Sequence, residues 1–542
     1  MQRAATGVAV SELVDVNDLI ADHVALEVEC LDRIYLNGYV PNLQVAGQVV
    51  RFLCDHLGNP IPSPALFDRI GQRFRRSVDR FALNNDIPVV RFNKGDRKAD
   101  VMRPYLRAAE RAGGPAVAAI GVAQEFQSVF SATDRNRGAG RPSFGFFKAD
   151  RRVSVYYFYI WDREFGPGFI KICTYFPYPI KVWLNGHAWA ARQCAQRGID
   201  YELLEDNGFK SCADPERLQR ICDQLGPNQI LGWFERWMAI LPTPLSHDDR
   251  LGGYWWELSM RQIEISRTLV FDAPRKARAF FEALVTDNLA IGRPDMIQLI
   301  FDRRVQKNTA GTFSTKVVNR GVEVVVNAFY KHSRIKEYLK DGRALRIETV
   351  INSPTDLGVQ RRLHNLGELQ AKARQANHRI LTIQQAGQGC AIDTELFERV
   401  SLPYIREGQR SGALRFGEPR AMALAGALSC LIGAVTGVTN RTLRGLVAGL
   451  LDTTYSSNQM SYDLRRLRLR GLIERIPKTN TYTITPDGIR WAVFTTKVHD
   501  RVLRPLHVAD QPPAPLPLRE ALATIDRHVN DYITNARLKL AA

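Results

Sequence analysis

The segment that runs from position 161 to position 210 contains the side-chain types that hydrolytic metal sites use. Carboxylate and amide oxygens bind hard divalent cations, and an imidazole often completes such a site. The stretch WDREFGPGFIKICTYFPYPIKVWLNGHAWAARQ, residues 161 to 193, and the following EDNGFK supply all three types. The candidate ligands are Asp162, Glu164, Asn185, His187, Glu205 and Asp206. The alternative is structural: Asn185, Gly186 and His187 form a turn into a helix, with His187 as a cap or a partly buried polar residue.

A further candidate carboxylate lies in a basic, strand-forming stretch. From Asp302 to Arg346 there are eleven Lys and Arg residues against four Asp and Glu residues. In the strand at 344–351, side chains alternate between faces, so that Arg346, Glu348 and Val350 share one face. This pattern predicts a basic sheet that binds a nucleic-acid backbone, with Glu348 placed to hold a metal ion. The expected contacts are Lys331, Arg334, Lys336 and Arg346, and the candidate catalytic residues are Glu348, Asp162 and His187.

The stretch FYKHSRIKEYLKDGRALRIETVIN, residues 329 to 352, resembles a segment of rolling-circle replication initiators and related mobile-element proteins. The resemblance implies that Tyr330 or Tyr338 is a nucleophile and that Glu348 is a metal ligand. Members of that family place two histidines around one hydrophobic residue, and this triplet does not occur in the sequence. Motifs of P-loop ATPases, serine hydrolases and zinc proteases are also absent from it. The sequence therefore leaves open whether the protein is an enzyme. A nuclease that uses Mg²⁺ or Mn²⁺ is the enzymatic reading.

Amphipathic spacing predicts a helix in SSNQMSYDLRRLRLRGLI, residues 456 to 473. Met460, Leu464 and Leu467 follow the spacing of a buried stripe, and Gly471 suits the end of the helix. The side chains expected to face away from this stripe are Ser457, Asn458, Gln459, Ser461, Tyr462, Arg465, Arg466 and Arg468. Polar residues at the start of a helix suit base edges, and arginines further along suit phosphates. We therefore predict a DNA contact, with Lys478 and Thr481 of the following hairpin reaching a neighbouring phosphate or groove.

The elements around this helix follow the order helix, helix, helix, hairpin. YDLRRLRLRGLIERIPKTNTYTIT resembles the recognition helix and wing of winged-helix domains of the MarR-like or ArsR-like kind. The resemblance implies a DNA-binding domain at residues 415–506. Winged helices also mediate protein contacts, so the fold alone does not assign the function.

Length, composition and charge indicate several basic domains. The chain has 542 residues, with 74 Lys and Arg against 56 Asp and Glu, and a net charge of +18 attracts polyanions. Eight scattered cysteines and acidic residues near the N-terminus predict a cytoplasmic protein without a membrane partner. The fold class expected is multidomain α+β. Its parts are an N-terminal α/β region (1–150), a mixed aromatic-rich region (151–300), a basic antiparallel sheet with a helix (301–400), the winged helix (415–506), and a proline linker with a C-terminal helix (511–542).

These observations favour a nucleic-acid-binding protein. The first expectation is a DNA-processing protein of a mobile element or a defence system, which contacts duplex DNA through the C-terminal domain. One alternative is a non-catalytic transcriptional regulator. Another is an RNA-binding protein that holds a structured RNA on its basic sheet, and tyrosines at 156, 157 and 159 also suit stacking on single strands. The sequence does not determine the oligomeric state.

Overall fold

A computed structural model describes most of the chain as two compact units. The described residues are 20, 22–136, 143–205, 207–287, 301, 315–320, 323–386, 392, 394–406, 408–429, 438–477, 479–499, 520, 524, 527 and 528. Unit 1 comprises residues 1–378, and unit 2 comprises residues 379–542. The expected α+β class is confirmed. The predicted proline linker lies outside the described residues, as do Asp206 and Lys478.

Unit 1 is built on a large mixed sheet. Its strands are β1 (Val24–Tyr39), β2 (Val89–Arg91), β3 (Ala116–Asp134), β4 (Phe144–Asp162), β5 (Gly166–Cys173), β6 (Ile180–Asn185), β7 (Tyr201–Leu203), β8 (Phe209–Cys212), β9 (Glu257–Phe271), β10 (Thr315–Arg320), β11 (Glu323–Tyr330), β12 (Ser333–Lys340) and β13 (Ala344–Ile351). All but β7 and β8, which pair with each other, form one sheet in the order β10-β11-β12-β13-β9-β1-β6-β5-β4-β3-β2. Neighbouring strands are antiparallel except β2 and β3.

Helices accompany this sheet in unit 1. They are α1 (Ala46–Arg51), which continues into a π-helical turn (Phe52–His56), α2 (Ala65–Asn84), α3 (Lys98–Ala112), α4 (Gly186–Gln196), α5 (Pro215–Gln224), α6 (Pro227–Met238), α7 (His247–Leu251), α8 (Pro274–Asp287) and the first part of α9 (Leu366–Ala386), whose last residues belong to unit 2. Short 3₁₀ turns occur at Pro41–Leu43, Pro354–Leu357 and Leu363–Asn365. In helix α2, Phe67, Phe74 and Val78 are buried at the spacing of an amphipathic helix.

The two faces of the sheet differ at its centre. Alternate residues of β1 and β6, such as Ile34, Leu36 and Val182, are fully buried on one face. Their neighbours on the other face, such as Tyr35 and Lys181, are only partly buried. Because side chains alternate along a strand, one face belongs to the core and the other stays partly open.

Strand β9 was not predicted from the sequence. This strand of fifteen residues lies between β1 and β13 and pairs with both. Ile263 and Ile265 alternate with Glu264 and Ser266, and all four are buried. The alternation of apolar and polar residues does not reveal β9 as a buried strand, because its charged and polar residues are buried too. Their partners lie on strands that are distant in sequence.

Unit 2 contains a small helical core with a three-stranded sheet. Its elements are α10 (Thr394–Ser401), β14 (Tyr404–Arg406), β15 (Gln409–Ser411), α11 (Pro419–Ser429), β16 (Val438–Thr439), α12 (Asn440–Leu451), α13 (Ser457–Leu469), β17 (Ile473–Arg475), β18 (Thr481–Ile484) and α14 (Pro486–Val498). The sheet has the order β16-β18-β17, and β14 pairs with β15. No helix among the described residues has the length and apolarity needed to cross a membrane.

The apolar stripe predicted for α13 is confirmed. Met460, Leu464 and Leu467 are buried in the core of unit 2 together with Leu472. Gly471 follows the helix with a φ of 70°, a left-handed conformation that glycine adopts without a steric penalty. The stripe therefore fixes which side of α13 faces outward.

We expect Leu467→Ala to destabilise unit 2 by about 2 to 5 kcal/mol, because a fully buried side chain would leave a cavity. Hydrogen exchange of α13 amides, read by mass spectrometry, measures this local free energy. Leu450→Ala is the control, because Leu450 is 54% exposed and its truncation should change protection far less. Equal effects of the two substitutions would contradict the placement of the stripe.

Candidate nucleic-acid interface and a buried charge cluster

A capping box at its first turn fixes the start of helix α13. The Ser456 Oγ accepts a hydrogen bond from the Gln459 backbone N–H at 3.2 Å, and Gln459 Oε1 accepts one from the Ser456 N–H at 2.8 Å. Such a box satisfies two amide groups that the helix itself leaves without partners. Asn440 of α12 supports the same turn by donating to the Ser457 carbonyl at 3.1 Å and to the Ser461 Oγ at 3.0 Å. The beginning of α13 is therefore held in a defined position.

The outer surface of α13 carries most of the side chains predicted to face outward. The exposed residues are Ser457, Asn458, Gln459, Ser461, Tyr462, Arg465 and Arg468. Tyr462 is 50% exposed, and the Arg465 Nε donates to the Gln409 Oε1 at 3.1 Å. Arg468 makes no ion pair or side-chain hydrogen bond with any residue that the structure describes. We call these seven residues the α13 surface.

Arg466 is the exception. It was predicted to face outward and to contact a phosphate, and this is wrong because its side chain faces inward. Its guanidinium is buried, donates to the Gly412 carbonyl at 3.3 Å and to the Ala413 carbonyl, and pairs with Asp463 at 3.1 Å. Arg470, one turn further, is fully buried and donates to the carbonyls of Leu402 at 3.0 Å and Gly412 at 2.8 Å. Both arginines turn inward because the backbone around residue 412 needs hydrogen-bond donors.

Burial of these arginines has an electrostatic cost. Desolvation, with the nearby Arg466 charge, lowers the pKa of Arg470 to about 10. Asp463 is fully buried and accepts from Arg420 at 2.9 Å, from Arg466 and from the Tyr455 hydroxyl. The carboxylate thus compensates two arginines at the inner side of α13. It presents no negative charge on the outer side.

The hairpin after α13 includes Thr481 and Arg475 among its described residues. Thr481 pairs with Thr439 of β16 and is partly buried. Arg475 is exposed, and its guanidinium donates to the Thr479 carbonyl and to the Asn480 Oδ1, both at 2.8 Å. Lys478 lies outside the described residues. The hairpin therefore adds one positioned cation beside a polar turn.

In unit 1, Glu348 belongs to a buried cluster of three carboxylates. Glu348 on β13 lies opposite Lys336 on β12 and Ser266 on β9. Glu264 lies two residues before Ser266 on β9. Asp32 lies in an irregular part of β1, the strand that pairs with β9. One oxygen from each of Asp32, Glu264 and Glu348 lies within 4.8 Å of the others, and all three residues are buried. The strand register thus joins residues more than three hundred positions apart.

Cations already occupy this cluster. Arg346 Nη2 lies 2.7 Å from Asp32, and Arg346 Nε lies 2.8 Å from Glu348. Lys336 Nζ lies 2.6 Å from the other Glu348 oxygen. Although burial raises the pKa of Asp32, the adjacent Arg346 guanidinium lowers it below its ordinary value. Burial raises the pKa of Glu264, which has weaker partners.

The donor set fits an ion-pair network better than a metal site. A divalent cation would have to displace Arg346 and Lys336 from oxygens that they already hold, and the fully buried Arg346 has no solvent to move into. The Tyr338 hydroxyl donates to Glu348 at 2.8 Å, and burial together with Glu348 raises its pKa. That phenol is held neutral, whereas a nucleophile must lose its proton. Tyr330, the other candidate, is buried against Phe301.

Asp162 and His187, the other two predicted catalytic residues, do not lie together in one site. Asp162 accepts from the backbone N–H groups of Glu164 at 2.9 Å and Phe165 at 3.0 Å, and from Trp237 Nε1 at 2.9 Å, so it closes a turn. Within the described residues, the one group of three possible metal ligands is the carboxylate cluster, which contains Glu348 but neither Asp162 nor His187.

The structural alternative for His187 is the one observed. The Asn185 side chain caps α4 by accepting from the Ala188 N–H at 2.9 Å. His187 is buried, and its Nε2 lies 3.0 Å from the Ser266 Oγ and 2.8 Å from Arg346 Nη2. Burial lowers the pKa of His187, so its imidazole is neutral at pH 7 and accepts from the guanidinium.

The four basic residues predicted to contact a nucleic acid from β12, β13 and the turn before β12 differ in their burial. Lys331 and Arg334 remain partly exposed. Arg346 is fully buried, so its predicted nucleic-acid contact is wrong as to position, whereas Lys336 is partly buried and forms an ion pair with Glu348. Strand β13 is central and buried on both faces, whereas the sequence suggested a polar outer face. Asp32 and Glu264 were missed. Their only signal was the presence of acidic residues within apolar strands, two in VECLDRIYL and one in RQIEISRTL.

We expect Arg346→Met to lower the unfolding free energy of unit 1 by about 3 to 5 kcal/mol at pH 7, because two buried carboxylates would lose their shared partner. Urea denaturation measures this change. Asp32 stabilises the wild type above its ordinary pKa and loses that contribution as pH falls. In the variant, Asp32 loses the guanidinium that lowers its pKa, so it takes up a proton more readily. The difference between the proteins should therefore shrink from pH 7 toward pH 4.

Lys372→Met is the control, because its ion pair with Glu368 lies on an exposed helix surface and should contribute less than about 0.5 kcal/mol. A destabilisation by Arg346→Met that stays constant between pH 7 and pH 4 would show that lost packing, rather than charge, is responsible.

The chain shows no significant match to any protein-family model, curated protein or solved structure. Its inferred function therefore rests on the geometry of its own side chains.

Proposed function

We propose that unit 2 binds duplex DNA through the α13 surface, as a winged-helix domain. The observation that carries this proposal is the composition of that surface. Its seven exposed residues are polar, aromatic or cationic, and the helix has no exposed carboxylate, since Asp463 points inward. A helix surface that only serves solubility usually mixes both signs of charge. Phosphate backbones attract the arrangement found here.

The order of elements supports the same proposal. Helices α11, α12 and α13 are followed by the β17–β18 hairpin, and β16 completes a three-stranded sheet. In such an arrangement the third helix enters the major groove and the hairpin lies beside the backbone. We assign Asn458 and Ser461, near the start of α13, to contacts with base edges. We assign Arg465 and Arg468, near its end, to contacts with phosphates.

The proposal is one of binding rather than cleavage. The buried carboxylates of unit 1 already have Arg346 and Lys336 as partners, so we assign them no catalytic role. A DNA-processing protein and a transcriptional regulator would both need the contact proposed for α13. The α13 contact does not distinguish these two functions, because they differ in what the protein does after it has bound DNA.

We expect Arg465→Ala combined with Arg468→Ala to weaken binding of a fluorescent duplex by about tenfold or more at low salt. Each lost phosphate contact should reduce the slope of log affinity against log salt by about 0.9, which gives roughly 1.8 for the pair. Fluorescence anisotropy across a salt series measures both quantities.

Arg217→Ala combined with Arg220→Ala removes the same charge from exposed positions on α5 and serves as the control. Equal salt slopes for the α13 variant and the wild type would show that the α13 surface does not contact DNA. Arg466→Ala is unsuitable as a test, because that residue holds the fold of unit 2.

A further inference from the structure

A concavity of about 510 Å³ opens on the partly exposed face of the unit 1 sheet, away from the carboxylate cluster. Its floor is a row of side chains that crosses four neighbouring strands. Tyr157 on β4 lies opposite Lys171 on β5, which lies opposite Lys181 on β6, which lies opposite Asn37 on β1. Three interstrand spacings of roughly 4.8 Å make this row about 14 Å long.

Positive charge exceeds negative charge in this concavity. Glu125 from β3 accepts from Lys171, from Lys98 and from the Tyr157 hydroxyl, the last at 2.6 Å. It is therefore shared between two lysines. Although burial raises the pKa of Glu125, the hydrogen bonds from Lys171 and Lys98 lower it to about 2, and the carboxylate stays ionised.

Two further cations in the concavity have no carboxylate partner. Lys181 Nζ donates to Asn37 Oδ1 at 2.9 Å and lies 5.5 Å from the centre of the Tyr35 ring. Arg261 is exposed and forms no ion pair with any described residue. Burial, with the charges of Arg261 and Lys171, lowers the pKa of Lys181 to about 8. A partly desolvated ammonium without a counter-charge is costly, and a bound anion would relieve that cost.

Aromatic side chains form the adjacent row on the same face. Tyr159, Phe169, Trp183 and Tyr35 lie opposite one another on β4, β5, β6 and β1. The rings of Phe169 and Trp183 are stacked, with centres 6.0 Å apart and planes 11° apart, and the ring centres of Tyr35 and Phe169 are 6.4 Å apart. Phe169, Trp183 and Tyr35 are partly exposed. Flat apolar rings thus lie directly beside cations.

We propose that this concavity, together with the aromatic row beside it, binds a single-stranded nucleic acid, whose phosphates contact Lys181 and Arg261 and whose bases stack on Tyr35 and on the neighbouring Trp183. Stacking platforms beside a positive groove are the means by which proteins hold single strands without reading their sequence. A duplex would not fit this chemistry, because its bases are already stacked on each other. A site about 14 Å long suits more than one nucleotide. This proposal does not depend on the α13 surface.

The test uses the full chain with Arg465→Ala and Arg468→Ala, so that α13 does not contribute. In that background, Lys181→Ala combined with Trp183→Ala should weaken binding of a twelve-residue oligo-dT or oligo-U by at least about tenfold, measured by fluorescence anisotropy. Lys148→Ala combined with Phe147→Ala is the matched control. It removes one lysine and one exposed aromatic ring from the same sheet outside the concavity.

Unchanged affinity in the Lys181 and Trp183 variant, with an unchanged melting temperature, would overturn the proposal. An abasic oligomer of the same length and charge tests base stacking. It should bind about tenfold more weakly than oligo-dT, and equal binding would show a general polyanion site instead. Loss of duplex binding in the background variant alone bears on α13 and leaves this site untouched.

Dependence on pH gives a second test. The charged and titratable groups that face Lys181 are Lys171, Arg261, Glu125, Tyr35 and Tyr157. As pH rises from 7 to 9, Lys181 loses its proton and single-strand affinity should fall about tenfold. Lys181→Arg keeps its charge over this range, so its affinity should stay nearly constant. An equal fall in both proteins would overturn the role given to Lys181.

Discussion

The buried guanidinium of Arg346 is the interaction on which the arrangement of unit 1 depends. It joins Glu348 on its own strand to Asp32 on β1, to the Asn207 carbonyl at 2.9 Å and to His187 at the start of α4. These partners come from four separate parts of the chain. Because a buried charge tolerates few alternatives, their mutual positions are fixed together. The register of β13 and β1 brings Arg346, Glu348 and Asp32 together.

That register determines what each face of the sheet presents. A shift of one residue along β1 would move Tyr35 and Asn37 into the core and would bring Ile34 and Leu36 to the open side. The ionic cluster lies on β1, β9, β12 and β13, and the lysine and aromatic rows lie on β1, β4, β5 and β6, so that β1 belongs to both. The charged interior therefore orients the surface beside it, although no residue is common to both.

Sequence reasoning was most successful where the determining contacts are local. The apolar stripe of α13 and the strand at 344–351 follow from periodicity within each segment. The inward turn of Arg466 and Arg470 was not predictable in this way, because their partners near residue 412 lie more than fifty positions away. Asp32 and Glu264 were missed for the same reason, since neither has a neighbour in sequence that marks it. The α13 surface as a DNA contact and the chemistry of unit 1 remain predictions.

The four arginines of RRLRLR, residues 465 to 470, alternate between the outer surface and the interior of unit 2. Arg466 and Arg470 satisfy backbone carbonyls inside unit 2, whereas Arg465 and Arg468 lie outside. Inward and outward positions can therefore change independently. Substitution at 465 or 468 would change the charge of the outer side of α13 while the buried contacts of Arg466 and Arg470 stay the same.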